Sequence, residues 1–117
     1  MAKIVVLGAG TGGMPAAYEV KEALGACHEV MVVNEREEFR FVPSNPWVAV
    51  GWREAGAVTM PIEKYLAKKK IAFKCARVDK IDAKANQLVT GDGEIIDYDY
   101  LIIATVPRLA FDQIEGA

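Results

Sequence analysis

The sequence predicts an α/β fold in which a parallel sheet is accompanied by a small antiparallel β-hairpin excursion. Three predicted strands, at residues 4–7, 29–33 and 101–104, are apolar throughout except for Glu29 at the start of the second, as is typical of strands buried on both faces of a parallel sheet. A glycine-rich turn lies between the first run and a helix-like segment at 14–24. Since strand, glycine turn and helix in this order form the corner of Rossmann-like folds, we expect the FAD/NAD(P)-binding type of sheet.

The glycine turn, Gly8–Gly13, has the spacing GxGxxG. Gly8 permits a tight turn, Gly10 lets the backbone approach a diphosphate, and Gly13 lets helix and strand pack closely. The first N–H groups of the following helix have no intrahelical partners, and the positive end of its dipole attracts an anion. The turn therefore predicts a phosphate-binding corner.

An acidic residue follows the second apolar strand at the position where a ribose is bound in such folds. Glu35 comes 22 positions after Gly13, against an expected spacing of about 20. Its carboxylate can accept hydrogen bonds from both ribose hydroxyls and would repel a 2′-phosphate. The alternative is a glycine turn with an unrelated surface glutamate.

Composition describes one ordinary globular domain. The 117 residues are 52% hydrophobic and 26% charged, with a net charge of −2, so we expect no nucleic-acid partner. Lys68–Lys70 are attributed to the basic end of a helix. No apolar run approaches the roughly 20 residues that span a bilayer, and we expect no signal peptide, hence a cytoplasmic or peripheral membrane location.

The remaining elements follow from periodicity and turn residues. In the first helix we expect an inner face of Ala17, Val20 and Leu24, and a second helix over Ile62–Lys70. A long aromatic loop is expected from Arg36 to Val58. The later strands are expected at residues 71–78, 78–82, 86–90 and 95–96, with a hairpin turn at 91–94, and at 101–104.

Cys27 and Cys75 lie far apart in the sequence and form no CxxC motif, so we expect two reduced thiols rather than a disulfide. We interpret the first as a turn residue and the second as a small core hydrophobe. His28 is expected to be structural or exposed, and no cluster has the spacing of metal ligands. Solvated charges, rather than an acid–base pair, are expected at Glu37, Glu38, Asp97 and Asp99.

Three stretches of the chain resemble a family of flavoproteins. Gly8–Leu24, Phe39–Trp52 and Tyr98–Thr105 are similar to the N-terminal part of the two-dinucleotide-domain, disulfide-reductase-like group, and most similar to sulfide:quinone oxidoreductase. The PSNPWVAVGW stretch, Pro43–Trp52, is the most specific part of the resemblance. Type II NADH dehydrogenases and the flavoprotein of flavocytochrome c sulfide dehydrogenase share the glycine turn and the closing strand but resemble this loop less closely.

The resemblance implies FAD as cofactor. Around its pyrophosphate it implies Gly8, Gly10, Thr11, Gly12 and Gly13, and along its adenosine ribose Asn34, Glu35 and Arg36. It places the backbone of Val78 at the adenine edge, and Ala104 and Thr105 under the ribityl or phosphate portion. It places the loop from Pro43 to Pro46 near the isoalloxazine, with Trp47 packed behind that loop. Val106 stands where the family has glycine; if that position requires a positive φ, valine costs about 1 kcal/mol or more.

The resemblance also implies a division of labour within a longer protein. Residues 1–117 would be the N-terminal portion of an FAD-binding domain, without the second dinucleotide domain and the C-terminal return segment. The parent enzyme, peripheral to a membrane, would oxidise sulfide through cysteines beyond Thr105 and pass electrons through FAD to quinone. We expect this chain alone to be inactive and, with apolar surface exposed, to self-associate. The alternatives are part of another flavin oxidoreductase and a non-catalytic nucleotide-binding domain.

Overall fold

A computed structural model describes residues 1–116, which form an α/β fold with three layers. The strands are β1 (Lys3–Leu7), β2 (Glu29–Asn34), β3 (Glu38–Arg40), β4 (Thr59–Pro61), β5 (Ala72–Cys75), β6 (Val78–Asp82), β7 (Gln87–Thr90), β8 (Ile95–Asp97) and β9 (Tyr100–Ile103). The α-helices are α1 (Gly13–Leu24), α2 (Asn45–Ala49) and α3 (Ile62–Ala67).

The central layer is a parallel four-stranded sheet in the order β5-β2-β1-β9. Its middle strands carry the continuous apolar runs, and Val5, Val6, Val32 and Val33 are fully buried. Side chains of alternate parity point to opposite faces, so both faces of these strands are covered. The predicted parallel sheet is confirmed.

A helical layer covers one face of the sheet and an antiparallel layer covers the other. On the helical side Val6, Val30 and Val32 pack with Ala17 of α1 and with Ile62 and Leu66 of α3 in one core cluster. On the opposite side Val5, Leu7 and Val33 pack with Leu88 and Ile96 in a second cluster. The helix N-termini and strand ends are thereby held in one rigid frame.

The antiparallel layer is the three-stranded sheet β6-β7-β8, which confirms the predicted hairpin excursion. Its turn between Thr90 and Glu94 contains Gly93 at φ 85°. Lys74 of β5 forms an ion pair with Glu94 at 2.6 Å, and this pair raises the pKa of the lysine.

Several predicted boundaries are wrong. The helix predicted over Ile62–Lys70 ends at Ala67, because the chain turns back through Lys70 at φ 57°. The strand predicted over Ile71–Val78 is two strands, β5 and β6. Leu24, expected on the inner face of α1, is 37% exposed.

The segment 36–58, expected to be one long loop, contains short regular elements. Strand β3 pairs with β4 in a separate two-stranded sheet, and α2 lies between them. One-turn 3-10 helices lie at Val42–Ser44 and Ala55–Val58. The expectation of an irregular loop is therefore wrong, although Phe41 and Trp52 remain exposed.

Both cysteines are free thiols on the surface. Cys27 lies in the 3-10 turn Gly25–Cys27, as expected of a turn residue. Cys75 is exposed at the end of β5, so its interpretation as a core hydrophobe is wrong. In residues 1–116 there is no helix of the length and apolar character needed to cross a membrane.

Replacement of Gly13 by alanine is expected to destabilise the protein by about 1–3 kcal/mol. A Cβ at Gly13 would collide with the carbonyl group of Gly8, whose carbon would lie 2.7 Å away, and a backbone group cannot rotate aside. This collision opposes the gain of about 1 kcal/mol that alanine brings to a helix. Urea unfolding of Gly13→Ala, followed by circular dichroism, measures the change.

The matched control for this substitution is Gly56→Ala, since no atom lies within 4 Å of a Cβ at Gly56. We expect its free energy of unfolding to change by about 0.5 kcal/mol at most. Equal stability of the two variants would contradict the close packing of α1 on the end of β1.

The turn of the antiparallel layer gives a prediction about pH. The Thr90 hydroxyl and the Glu94 backbone N–H both donate to the Asp92 carboxylate and hold the pKa of Asp92 below its usual range. A carboxylate with a lowered folded-state pKa stabilises the fold fully above its unfolded pKa, and that contribution is lost as the pH falls through the folded value. In Thr90→Val the pKa of Asp92 should rise, as measured by carboxyl NMR titration.

Thr59→Val provides the comparison for this titration. The Thr59 hydroxyl donates to the carbonyls of Ala55 and Gly56, far along the chain from the turn. An Asp92 titration that is the same in both variants and in the unsubstituted protein would refute the role given to the Thr90 hydroxyl.

Candidate functional site

The glycine turn lies where β1, β2 and β9 end and α1 begins. The Gly8 N–H donates to the Val33 carbonyl at 2.8 Å, and the Ala104 N–H donates to the Leu7 carbonyl at 2.8 Å. Gly8 has φ 106°, and a Cβ there would collide with the Ala104 carbonyl group. The turn is thus joined by backbone contacts to both neighbouring strands.

Unused donors gather at the start of α1. The N–H groups of Gly10, Thr11, Gly12 and Gly13 make no hydrogen bond with any described residue, while the Met14 N–H already donates to the Gly10 carbonyl at 3.1 Å. The helix is 12 residues long, so the positive end of its dipole adds to these donors. The arrangement can hold an anion without a cationic side chain.

Space is open beside these donors. A Cβ at Gly10 would meet only the Val106 side chain, at 3.9 Å, and a Cβ at Gly12 only the Ala104 side chain, at 4.0 Å. Neither glycine has a positive φ. Their lack of a side chain therefore leaves surface free for a ligand, whereas Gly8 and Gly13 are required by packing.

The end of β2 brings Asn34, Glu35 and Arg36 to the same edge of the sheet. Asn34 accepts a hydrogen bond from the Ala9 N–H at 3.1 Å through Oδ1 and donates one to the Arg36 carbonyl at 2.9 Å through Nδ2. Glu35 is exposed, and its carboxylate has no hydrogen-bond or ion-pair partner within residues 1–116. It is available to the hydroxyls of a ribose.

The closing strand places Ala104 and Thr105 directly beside the glycine turn. A Cβ at Gly8 would lie 3.1 Å from the Thr105 nitrogen. The next residue, Val106, is 75% exposed and does not have a positive φ. In the described part of the chain, the non-glycine residues with a positive φ are Lys70 and Asn86. The strain expected of a valine at this position is absent.

Val78 and Pro43 lie in other parts of the molecule. Val78 begins β6, pairs with Thr90, and packs against the core cluster on the antiparallel side of the sheet. Val78 lies two residues after Ala76, whose N–H donates to the Asn34 carbonyl at 2.8 Å. Pro43 is exposed in a 3-10 turn beside the two-stranded sheet.

Sequence reasoning missed two neighbours of the ribose position. The Cys75 thiol donates to the Glu35 carbonyl at 3.4 Å, and loss of hydration against the neighbouring chain, together with the negative charge of Glu37, raises the pKa of this thiol. Ala9 was missed because only its N–H is involved. The parallel register of Asn34 with Cys75 is the one signal that could have located the thiol.

A charged cleft of about 330 Å³ opens immediately after Glu35. It is lined by Arg36, Glu37, Glu38 and Arg40. No group of three or more His, Cys, Asp or Glu side chains in residues 1–116 is arranged to hold a metal ion.

These residues fit a dinucleotide. Four N–H groups at the start of α1 have no partner within residues 1–116, the space at the Cβ positions of Gly10 and Gly12 is open, and Glu35 directly follows the adjacent strand β2, where such folds bind the ribose. The cofactor class expected from the sequence is compatible with this donor set.

Comparison with proteins of known sequence finds one family and relatives that are named as quinone oxidoreductases or reductases. Residues 2–117 match the family described as pyridine nucleotide-disulphide oxidoreductase. The sulfide-quinone reductase of Aquifex aeolicus is 38% identical over 112 residues, which are 95% of this chain and 26% of that protein. A type II NADH:quinone oxidoreductase of Staphylococcus epidermidis is 32% identical over 87% of this chain and 25% of its own length.

Comparison with solved structures agrees. The crystal structure of sulfide:quinone oxidoreductase from Aquifex aeolicus matches with a TM-score of 0.89 and 36% identity, covering 95% of this chain and 26% of that one. The structure of NDH2 from Plasmodium falciparum matches at 0.77 with 23% identity, over 98% of this chain and 24% of the other, which shows the shared fold.

These matches confirm the resemblance to sulfide:quinone oxidoreductase inferred from the glycine turn, the PSNPWVAVGW stretch and the closing strand. The chain spans about a quarter of the length of the relatives it matches. With the family matched over residues 2–117 and the fold matched over 95% of the chain, this protein belongs to the pyridine nucleotide-disulphide oxidoreductase family.

Proposed function

We propose that residues 1–117 are the N-terminal portion of an FAD-binding domain and hold the adenosine and pyrophosphate of FAD. The observation that carries this proposal is the set of four unpartnered N–H groups at Gly10–Gly13, one strand away from the free carboxylate of Glu35. In dinucleotide-binding folds the glycine turn binds the diphosphate and the acidic residue after the next strand binds the ribose.

Each candidate residue has a part in this proposal. The pyrophosphate is surrounded by the glycine turn, through Gly8, Gly10, Thr11, Gly12 and Gly13, and the ribose lies along Asn34, Glu35 and Arg36. The adenine meets the backbone of Val78. The ribityl or phosphate portion lies over Ala104 and Thr105, and the isoalloxazine is approached by Pro43. Bound FAD would supply the two-electron chemistry, and these residues bind and orient it.

The reaction proposed for the whole protein is oxidation of sulfide with quinone as electron acceptor. Eight of the curated relatives carry quinone or ubiquinone in their names, so a quinone acceptor is the property that these relatives share. Sulfide as donor is supported by the sulfide-quinone reductase at 38% identity. With quinone as substrate, the whole protein would work at the membrane surface. In this proposal Cys27 and Cys75 have no part in the reaction.

The second candidate is a type II NADH:quinone oxidoreductase. Relatives of that name reach 32% identity with this chain. Sulfide oxidation is favoured because the sulfide:quinone oxidoreductase structure combines 36% identity with a TM-score of 0.89, against 23% and 0.77 for NDH2. A third candidate, a nucleotide-binding domain without catalytic function, is distinguished by the flavin titration below.

The purified chain is expected to bind FAD saturably, and ADP is expected to displace it. Gly10→Ala is expected to weaken binding without weakening folding. The added Cβ makes only an ordinary contact within the protein, with Val106 at 3.9 Å, but it would lie where the diphosphate approaches the backbone. We expect Gly10→Ala to weaken FAD and ADP at least about tenfold, which is the loss of one charge-assisted hydrogen bond. Flavin fluorescence quenching measures both affinities.

Gly56→Ala serves as the control for this titration, because the space around a Cβ at that glycine is empty. Its affinities should equal those of the unsubstituted protein. Binding of ADP without FAD would favour the non-catalytic nucleotide-binding domain, and no binding of either would refute the proposed site.

We also propose that copies of this chain associate through the outer edge of β9. This strand ends the parallel sheet, so its outer backbone groups are unpaired, and Tyr100 and Ile103 are 67% and 59% exposed. An apolar groove of about 460 Å³ runs beside it, lined by Ala2, Ile4, Val20, Leu24, His28, Tyr100 and Ile102. A second copy could pair with the edge and cover this surface.

Sedimentation equilibrium is expected to show at least a dimer of the 117-residue chain. Ile103→Lys places a charge on the β9 edge and should shift the equilibrium to monomer. Ile95→Lys is the matched control: Ile95 is 55% exposed on β8, in the antiparallel layer, and its substitution should leave the dimer intact. A clean monomer at high concentration, or equal dissociation by both variants, would contradict this interface.

A further inference from the structure

The Asn34 side chain is engaged entirely by backbone groups of other residues. Its Oδ1 accepts from the Ala9 N–H in the glycine turn, at 3.1 Å, and its Nδ2 donates to the Arg36 carbonyl, at 2.9 Å. The resemblance implied that Asn34 lies along the ribose. Its amide also connects the glycine turn to the segment that follows β2.

The backbone on either side of Glu35 is held as well. The Asn34 carbonyl accepts from the Ala76 N–H at 2.8 Å, and the Glu35 carbonyl accepts from the Cys75 thiol at 3.4 Å. One residue earlier, the Val33 carbonyl accepts from the Gly8 N–H at 2.8 Å. The segment 33–36 is therefore fixed to β1, to β5 and to itself.

The Glu35 side chain is the exception, since its carboxylate is exposed and has no partner within the described residues. Its direction is set by the backbone that carries it. The adjacent side chain, Arg36, is also exposed and forms no ion pair in that part of the chain. Two opposite charges thus follow each other, and the conformation of residues 34–36 decides which of them faces a ribose.

We propose that Asn34 is a positioning residue that directs Glu35, and not Arg36, toward the ribose, and so makes the site select an adenine nucleotide with a free 2′-hydroxyl over one with a 2′-phosphate. This inference rests on the proposed dinucleotide site. A carboxylate binds the ribose hydroxyls and repels a 2′-phosphate, whereas a guanidinium attracts the phosphate. Without the Asn34 amide the Arg36 carbonyl loses its partner while the backbone hydrogen bonds of Val33 and Asn34 remain, so the backbone that follows Glu35 is the part that can change direction.

The selectivity test measures the affinities of ADP and 2′-phospho-ADP by calorimetry for the 117-residue chain. The unsubstituted protein is expected to prefer ADP at least about tenfold, and Asn34→Ala to bring the ratio of affinities close to one. Gln87→Ala removes an amide whose Nε2 donates to Asp97 at 2.9 Å in the antiparallel layer, and it should keep the ratio of the unsubstituted protein. A fall in both affinities with the ratio unchanged would reduce Asn34 to a structural role and overturn the proposal.

Amide hydrogen exchange tests the connection without any ligand. In Asn34→Ala the Ala9 amide should exchange at least about tenfold faster, whereas the Gly8 amide, held by the Val33 carbonyl, should keep its rate. Asn34→Asp retains an acceptor for Ala9 and should keep that amide protected while releasing Arg36.

The two measurements separate the possible failures. Unchanged exchange of Ala9 in Asn34→Ala would overturn the connection itself. If Ala9 loses protection but the unsubstituted protein binds neither ADP nor 2′-phospho-ADP, the proposed dinucleotide site is refuted and the assignment of selectivity falls with it. Loss of Ala9 protection together with a collapsed ratio of affinities supports the proposal.

Discussion

The backbone contact between Gly8, Gly13 and Ala104 is the constraint on which the rest of the structure depends. A Cβ at Gly13 would overlap the Gly8 carbonyl, and a Cβ at Gly8 would overlap the Ala104 carbonyl. At these points α1, β1 and β9 approach as closely as backbones can. The first turn of α1 is consequently held over the carboxyl edge of the sheet, and its free N–H groups become a fixed feature of that edge.

Sequence periodicity was sufficient wherever local pattern and tertiary environment agree. The continuous apolar runs predict β1, β2 and β9 because both faces of a parallel sheet are buried, and the Gly-Asp-Gly turn predicts the hairpin. The division of residues 71–78 into two strands has no local signal. It depends on a change of long-range partner: through Cys75 the chain pairs with β2, a contact that continues to the hydrogen bond from the Ala76 N–H to the Asn34 carbonyl, whereas from Val78 it pairs with β7.

One part of the candidate site could be predicted from the sequence and another part could not. The spacing of Gly8, Gly10 and Gly13 and the position of Glu35 follow from rules about backbone approach and strand length, and the structure brings these residues to one edge. The backbone contacts of Asn34 could not be predicted, because an amide side chain is suited equally to a ribose and to a backbone. They are seen only in the structure, where Asn34 Oδ1 lies 3.1 Å from the Ala9 nitrogen.

The electrostatics of the site explain why approach distance matters more here than side-chain charge. The chain has a net charge of −2, and the residues at the glycine turn are glycine, alanine and threonine, so a diphosphate bound there would be held by backbone N–H groups, the Thr11 hydroxyl and the helix dipole, without a cationic side chain of the turn. Such interactions are short-ranged, and any atom between the donors and the phosphate weakens them. Val106 lies 3.9 Å from the Cβ position of Gly10 without backbone strain, so a side chain at position 106 affects the approach to Gly10 through its volume and not through its backbone conformation. The exposed Val106 side chain lies on the β9 side of the glycine turn and the exposed Glu35 carboxylate follows β2 on the other side, so the proposed site has an apolar group at one end and an anionic group at the other.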